Sequence, residues 1–167
     1  KDGLMLVVSD SSPINFLVRM RQESVLVALF GRVVIPPAVA QELSRPATPP
    51  EVAAFIGTPP AWLEIRTPAT IEPIPKLQIG EQAAISLARE LHADLILIDD
   101  GDARRAATAR GLAITGLLGV LERADERRLI NLESLAPSLP HDYRIDPALL
   151  ETAIEREAVD EIGADAS

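Results

Sequence analysis

"LMLVVSDSSPINFL", residues 4–17, sets an apolar run against an abrupt polar break at Ser9-Asp10-Ser11-Ser12. A short apolar run that ends in turn chemistry and leads to a proline predicts a strand, buried on both faces, feeding a helix. The expected strand is Leu4–Ser9. Ser12 then reads as the helix N-cap, with Pro13 at the first helical position, where its missing N–H costs nothing. Ile14, Leu17 and Val18 continue at helical spacing. Because Ser12 serves that helix, Asp10 is left at the mouth of the strand without a structural task.

The same alternation recurs downstream. Ser24–Phe30 reads as an amphipathic helix, and Arg32–Ile35 as a β-branched strand stopped by Pro36-Pro37. Ala38–Ser44 follows as a short helix. The proline-rich stretch Pro46–Leu77 reads as loop, broken by a small helix Glu51–Ile56 and a half-buried strand Trp62–Arg66. Glu81–Leu91 is amphipathic, and Leu95–Ile98 is an apolar strand entering Asp99-Asp100-Gly101-Asp102. Asp102 is the expected cap of the next helix. Leu112–Thr115 makes a fifth strand and Gly116–Arg128 a helix, with Leu132–Leu139 and Pro147–Ile162 helical around an extended Tyr143–Ile145. Strands alternating with helices predict an α/β fold: three layers, α/β/α, around a mainly parallel sheet.

Bulk composition narrows the chemistry. The 167 residues are 47% apolar but only 3% aromatic, so aliphatic side chains must build the core. No cysteine is present, which excludes disulfides, thiol catalysis and cysteine-held metal, and suits a cytoplasmic setting. No apolar run approaches the roughly 20 residues of a membrane span. Leu4–Val8 is also too short for the apolar core of a signal peptide, about 7–15 residues. The net charge of −9 argues at first against a nucleic-acid partner. From Asp146 onward, however, seven acids face one base, so −6 of that charge sits in the tail and only −3 in residues 1–145. Fourteen of the sixteen basic residues are arginine, whose planar fork suits phosphate.

The acids are the informative residues. Ligands of parallel sheets bind beyond the carboxyl ends of the strands. Asp10 ends the first strand and Asp99-Asp100 the fourth, while Glu42 and Glu81 lie on helices that start at the same rim. Unit charges at about 4 Å repel by roughly 4 kcal/mol at an effective dielectric of 20, so such a group needs a cation or raised pKa values. All-oxygen ligation without nearby histidine points to Mg²⁺ or Mn²⁺ and to phosphoryl chemistry, most simply phosphodiester hydrolysis. His92 and His141 stand in polar terminal contexts, and Trp62 reads as core rather than as a base-stacking platform.

At these residues the sequence resembles the PIN-domain family, in its branch of small prokaryotic proteins described as nucleic-acid binders. The stretches that carry the likeness are "VVSDSSPINFL", "VVIPPAVAQEL", "IGEQAAISLARELHADLILIDDGDARRAA" and "GLAITGLLGVL", in family order over about residues 4–130. The resemblance implies sheet order 3-2-1-4-5. It places the family's acids on Asp10, Glu42, Glu81 and Asp99 or Asp100, with Ser12 at the small polar position. Asp10, Glu81, Asp99 and Asp100 are the implied metal ligands. Ser12, Arg104 and Arg105 are the expected phosphate contacts. By analogy with VapC-like toxins, it implies a Mg²⁺- or Mn²⁺-dependent endoribonuclease, homodimeric and held inactive by a small antitoxin. Residues 1–145 would form the nuclease domain and 146–167 an acidic helical tail without counterpart in the family pattern. Haloacid-dehalogenase-like chemistry is disfavoured because position 12 is serine, and a receiver switch because no lysine follows Lys76. A non-catalytic binding module is the alternative from a different class.

Overall fold

The computed structural model describes residues 5–145 and 147–166. Leu4, Asp146 and Ser167, at the edges of expected elements, lie outside the described residues. Compactness divides the chain into Lys1–Leu117 and Leu118–Ser167.

In the first unit five parallel strands form one sheet in the order β3-β2-β1-β4-β5. They are β1 Val7–Ser9, β2 Val33–Ile35, β3 Leu63–Ile65, β4 Leu95–Leu97 and β5 Ile114–Thr115. Each is shorter than the strand expected from its apolar run, although backbone bonds such as Arg66 N–H to the Ile35 carbonyl continue past the strand ends. β1, β2 and β4 are buried along their whole length, as a sheet covered on both faces requires. The covering helices are α1 Ser11–Arg19, α2 Ser24–Phe30, α3 Pro37–Leu43, α4 Pro50–Gly57, α5 Ile79–Glu90 and α6 Gly101–Ala109. α1 packs on α3 and α4, and α5 on β1, β4 and α3. This is the expected α/β/α sandwich. Ile96, fully buried on β4, fills its centre. Ile96→Ala is expected to cost about 2–5 kcal/mol through lost burial and the void it leaves, read as a lower denaturant midpoint.

Central strand β1 carries the order of the sheet. The chain winds outward from β1 through β2 to β3, then returns to β1's other side for β4 and β5. The switch point lies between β1 and β4, where such sheets open a crevice at their carboxyl ends. At the opposite end the Leu6 N–H donates to Asp94 Oδ2 at 2.7 Å and the Asp94 N–H to the Leu6 carbonyl at 2.8 Å, locking the two strands in register.

Two expected caps move. Helix α1 begins at Ser11 with Asp10, not Ser12, in the cap position, yet the Asp10 side chain makes no capping bond. Pro13 is tolerated at the third helical position because first-turn N–H groups have no partner within the helix. α6 is capped by Asp100, whose Oδ2 accepts from the Ala103 N–H at 3.2 Å, and not by Asp102, which pairs with Arg105. A cap reaches the N–H three residues ahead, so a helix that starts at Gly101 selects Asp100.

The proline-rich segment is pinned rather than loose. Glu72 accepts from both Arg110 Nε at 3.1 Å and Nη2 at 2.7 Å, and from Arg89 Nη1 at 2.9 Å, while its own N–H donates to Ser86 Oγ. These bonds tie the segment to α5 and to the end of α6.

The second unit is helical: most of α7 Leu117–Glu126, then α8 Leu132–Leu135, a 3₁₀ turn Ala136–Ser138 and α9 Pro147–Ala166. Buried Asp125 accepts the Leu132 N–H at 2.6 Å, which turns the chain into α8. Arg156 of α9 donates to Glu122 of α7 at 2.7 Å. The acidic tail is therefore helical as expected, whereas Tyr143–Ile145 forms no strand. Among the described residues no helix is long and apolar enough to cross a membrane.

Candidate active site

Asp10 stands one residue beyond β1, with its N–H donating to the Leu97 carbonyl of β4 at 2.8 Å. That bond holds its backbone at the switch point. The residue is 3% exposed, and its Oδ1 is buried without a hydrogen-bond partner. Burial raises its pKa from 3.8 to about 7; the Ser11 N–H pulls it down, and the charges of Glu42, Glu81 and Asp99 push it further up. The three acids named beside it come from α3, α5 and the end of β4, so the fold gathers groups far apart in the chain around one carboxyl.

Glu42 arrives on α3, which the Pro36-Pro37 break starts directly after β2. Its Oε2 accepts from Ser11 Oγ at 2.9 Å, while Oε1 is buried with no partner. The sequence points to Ser12, as the small polar residue and expected phosphate contact. The first turn of α1 instead gives the tie to Ser11, and nothing in a run of three hydroxyls and one acid distinguishes them before the helix start is known. Ser12 is half-buried one residue further along α1.

Asp99 follows β4. Its Oδ1 accepts the Leu117 N–H at 2.9 Å and its Oδ2 is buried without a partner. Burial raises its pKa, opposed by the Leu117 N–H and the nearby Arg104 guanidinium. Glu81 sits in the first turn of α5, where its Oε1 accepts from the Gln78 N–H at 3.0 Å, half of a capping box. Its pKa is also raised, by partial burial first and then by Asp100, Glu42 and Asp102, against the Gln78 N–H. Asp100 is exposed and occupied as the α6 cap.

The acids share one rim but do not form a finished cage. Among the described residues, no three carboxylate or imidazole side chains stand close enough together to hold one ion as they are placed. The reason is visible in the bonds: Glu42, Glu81, Asp99 and Asp100 each have one oxygen tied to a different donor, and those donors lie on different elements. What remains is a set of three buried oxygens with no donor: Asp10 Oδ1, Glu42 Oε1 and Asp99 Oδ2. An orphaned buried acceptor costs about 1–3 kcal/mol, more when charged. An all-oxygen, anionic set of this kind fits a hard divalent cation.

Beside the acids runs an open groove of about 500 Å³ lined by Gly101, Arg104, Arg105, Thr108, Ala109 and Ile114. Arg104 Nη1 donates to the Ile98 carbonyl at 2.8 Å, which anchors its guanidinium beside Asp99. Arg105 lies on the exposed side, paired with Asp102.

Comparison with known proteins agrees with this architecture. A PilT N-terminus domain protein, SSO1118, from the hyperthermophilic archaeon Sulfolobus solfataricus P2 superposes with a TM-score of 0.52 at 19% identity, covering 85% of this chain and 100% of its own. No curated protein matches the chain. The sequence model of DUF3368, described as a PIN domain, matches residues 6–158. With that match spanning nearly the whole length, and with the 3-2-1-4-5 sheet beneath it, this chain belongs to the PIN-domain family.

Proposed function

We propose that this protein is a divalent-metal-dependent endoribonuclease that hydrolyses phosphodiester bonds at the carboxyl edge of its sheet. PIN domains are generally nucleases. The observation that carries the reading is the trio of buried, donorless oxygens on Asp10, Glu42 and Asp99. Glu23 and Asp125 also carry a buried oxygen without a donor; what sets this trio apart is that all three lie at the carboxyl edge of one sheet, where their mutual repulsion favours a bound cation. Asp10, Glu42 and Asp99 would hold Mg²⁺ or Mn²⁺, with Glu81 and Asp100 at the rim. Bound there, such an ion would neutralise charge on the phosphodiester and make an attacking water more acidic.

The chain's own residues supply the rest. Glu81, whose proton affinity is raised, is suited to accept the proton of the attacking water as the new P–O bond forms, while the old P–O bond breaks and its leaving oxygen takes a proton from solvent. Arg104 keeps free donors on its fork after bonding Ile98, and with Arg105 and Thr108 it lines a groove where a neighbouring phosphate would lie. Ser11 keeps Glu42 in place, so it is a positioning residue.

In the same reading the protein is the toxin of a toxin–antitoxin pair, acting in the cytoplasm as a homodimer restrained by a small antitoxin protein. What supports this is an analogy drawn from the sequence stretches shared with the PIN-domain family, which also includes VapC-like toxins. Purification with and without a co-expressed neighbouring small protein tests it, as a stable complex that suppresses cleavage.

The direct test is cleavage of single-stranded RNA and DNA with Mg²⁺, Mn²⁺ or chelator. RNA cleavage is expected with either ion and none with chelator. Glu42→Gln, which keeps the side-chain shape, is expected to cut the rate at least about tenfold without loss of fold. Cleavage that survives chelation overturns the metal assignment. Mn²⁺ binding without cleavage of any substrate makes the protein a non-catalytic module.

A further inference from the structure

Two glycines touch the acids in a way that backbone conformation does not explain. Neither Gly80 nor Gly116 adopts a positive φ, unlike Gly31 and Gly111. Alanine is therefore conformationally acceptable at both, and within helix α5 it is the better helix former. What excludes a side chain is space. A Cβ on Gly80 would stand 1.6 Å from Glu42 Oε1 and 2.7 Å from its Cδ. A Cβ on Gly116 would stand 2.5 Å from Asp99 Oδ1, 2.9 Å from Arg104 Nη1 and 3.4 Å from the Ile98 carbonyl oxygen.

We infer that Gly80 and Gly116 are positioning residues whose absent side chains make the two sockets in which the Glu42 and Asp99 carboxylates are presented to Asp10. The geometry is specific on three counts. In each case the nearest atom is the acid's own carboxylate oxygen, not a core aliphatic group or a neighbouring helix backbone. Each acid is held by one donor, Ser11 Oγ at 2.9 Å for Glu42 and, for Asp99, the N–H of Leu117, the residue after Gly116, at 2.9 Å. Each carries, on its second or socketed oxygen, one of the buried atoms without a partner. In the Glu42 socket the donorless Oε1 is itself the atom over Gly80.

The sockets also organise the charge of the site. Gly80 sits one residue before Glu81, so the same turn of α5 accommodates one acid and supplies another. Gly116 admits Asp99 together with the Arg104 guanidinium, keeping this carboxylate beside a counter-charge. A methyl group at either place expels the carboxylate, the flexible partner, and leaves the sheet and helices intact. The metal readout below rests on the nuclease reading; the structural readout does not.

The test is a double-mutant cycle between positions 80 and 42. Gly80→Ala in the wild-type background is expected to weaken Mn²⁺ binding, measured by calorimetry, about 10–100-fold, the usual range when a ligand loses its support. Glu42→Asp withdraws the carboxylate by one methylene and empties the socket. In that background Gly80→Ala is expected to change Mn²⁺ affinity less than about twofold. A crystal structure of metal-free Gly80→Ala is expected to show the Glu42 carboxylate swung out of the socket and its bond to Ser11 broken. Gly116→Ala is expected to part Asp99 from the Leu117 N–H in the same way. Equal losses of affinity in both backgrounds, or a Glu42 carboxylate still on Ser11 in the variant structure, overturns the inference. If the wild-type protein binds no Mn²⁺, the nuclease reading falls, and the variant structures alone decide the role of the glycines.

Discussion

Asp10→Asn is expected to lower metal-dependent RNA cleavage at least about a hundredfold while making the metal-free protein more stable at pH 8. Both effects come from the same atoms. The carboxyl is almost wholly buried, its Oδ1 has no donor, and three other acids raise its proton affinity further. As an anion it is therefore held at a cost that asparagine, neutral and nearly the same shape, does not bear. The pKa displacement from 3.8 to about 7 corresponds to about 4 kcal/mol at most, so a gain of about 2–4 kcal/mol is expected from the variant. Urea unfolding at pH 8 with chelator reads the stability, and a labelled RNA assay with Mn²⁺ reads the activity. A variant that loses stability and keeps activity would show that Asp10 is a structural residue.

The second large effect is on the pH dependence of the metal-free wild type. The native state holds the Asp10 proton up to about pH 7, whereas the unfolded chain releases it near 3.8. The contribution is fully present below the lower value and is lost as pH rises through the upper one. Asp99 and Glu81, both raised, act in the same direction. Between pH 5 and 8 the protein is expected to lose about 3 kcal/mol from Asp10 alone, seen as a falling unfolding midpoint in chelator. Saturating Mn²⁺ should flatten the trend, because a cation stabilises the ionised carboxylates and its affinity rises as they give up protons. Stability that climbs over this window in chelator would contradict the raised Asp10 proton affinity. The slope should become shallower in Asp10→Asn, leaving only the share that Asp99 and Glu81 contribute.

The two predictions depend on features that differ in how plainly they stand in the sequence. Short apolar strands ended by an acid or a proline pair are local patterns. "LVVSD", "VVIPP" and "LILIDD" could each be read without knowledge of the others. That the Asp10 side chain has no capping bond was legible as well, although the cap position lies two residues earlier than the expected Ser12. That shift matters for chemistry. It leaves Ser11, not the expected Ser12, as the hydroxyl bonded to an acid of the site, and a separate shift moves the α6 cap from Asp102 to Asp100. Helix starts are set by how the strand before them ends, and a sequence of consecutive serines or aspartates offers several equivalent choices.

The glycine sockets were out of reach for another reason. Gly80 and Gly116 meet side chains 38 and 17 positions away in the chain, and no local rule links "IGEQ" to a glutamate on an earlier helix. The pinning of the proline-rich segment is of the same kind, since Glu72 finds Arg110 38 residues away.

By itself the sequence determined the strands, the helices between them and the acids at their ends, because burial on both faces and the chemistry of turns act within a few neighbouring residues. The tertiary structure alone decided which oxygen meets which donor and which three are left without one. Those outcomes depend on distances of a few tenths of an ångström between segments that only the order of the sheet brings together.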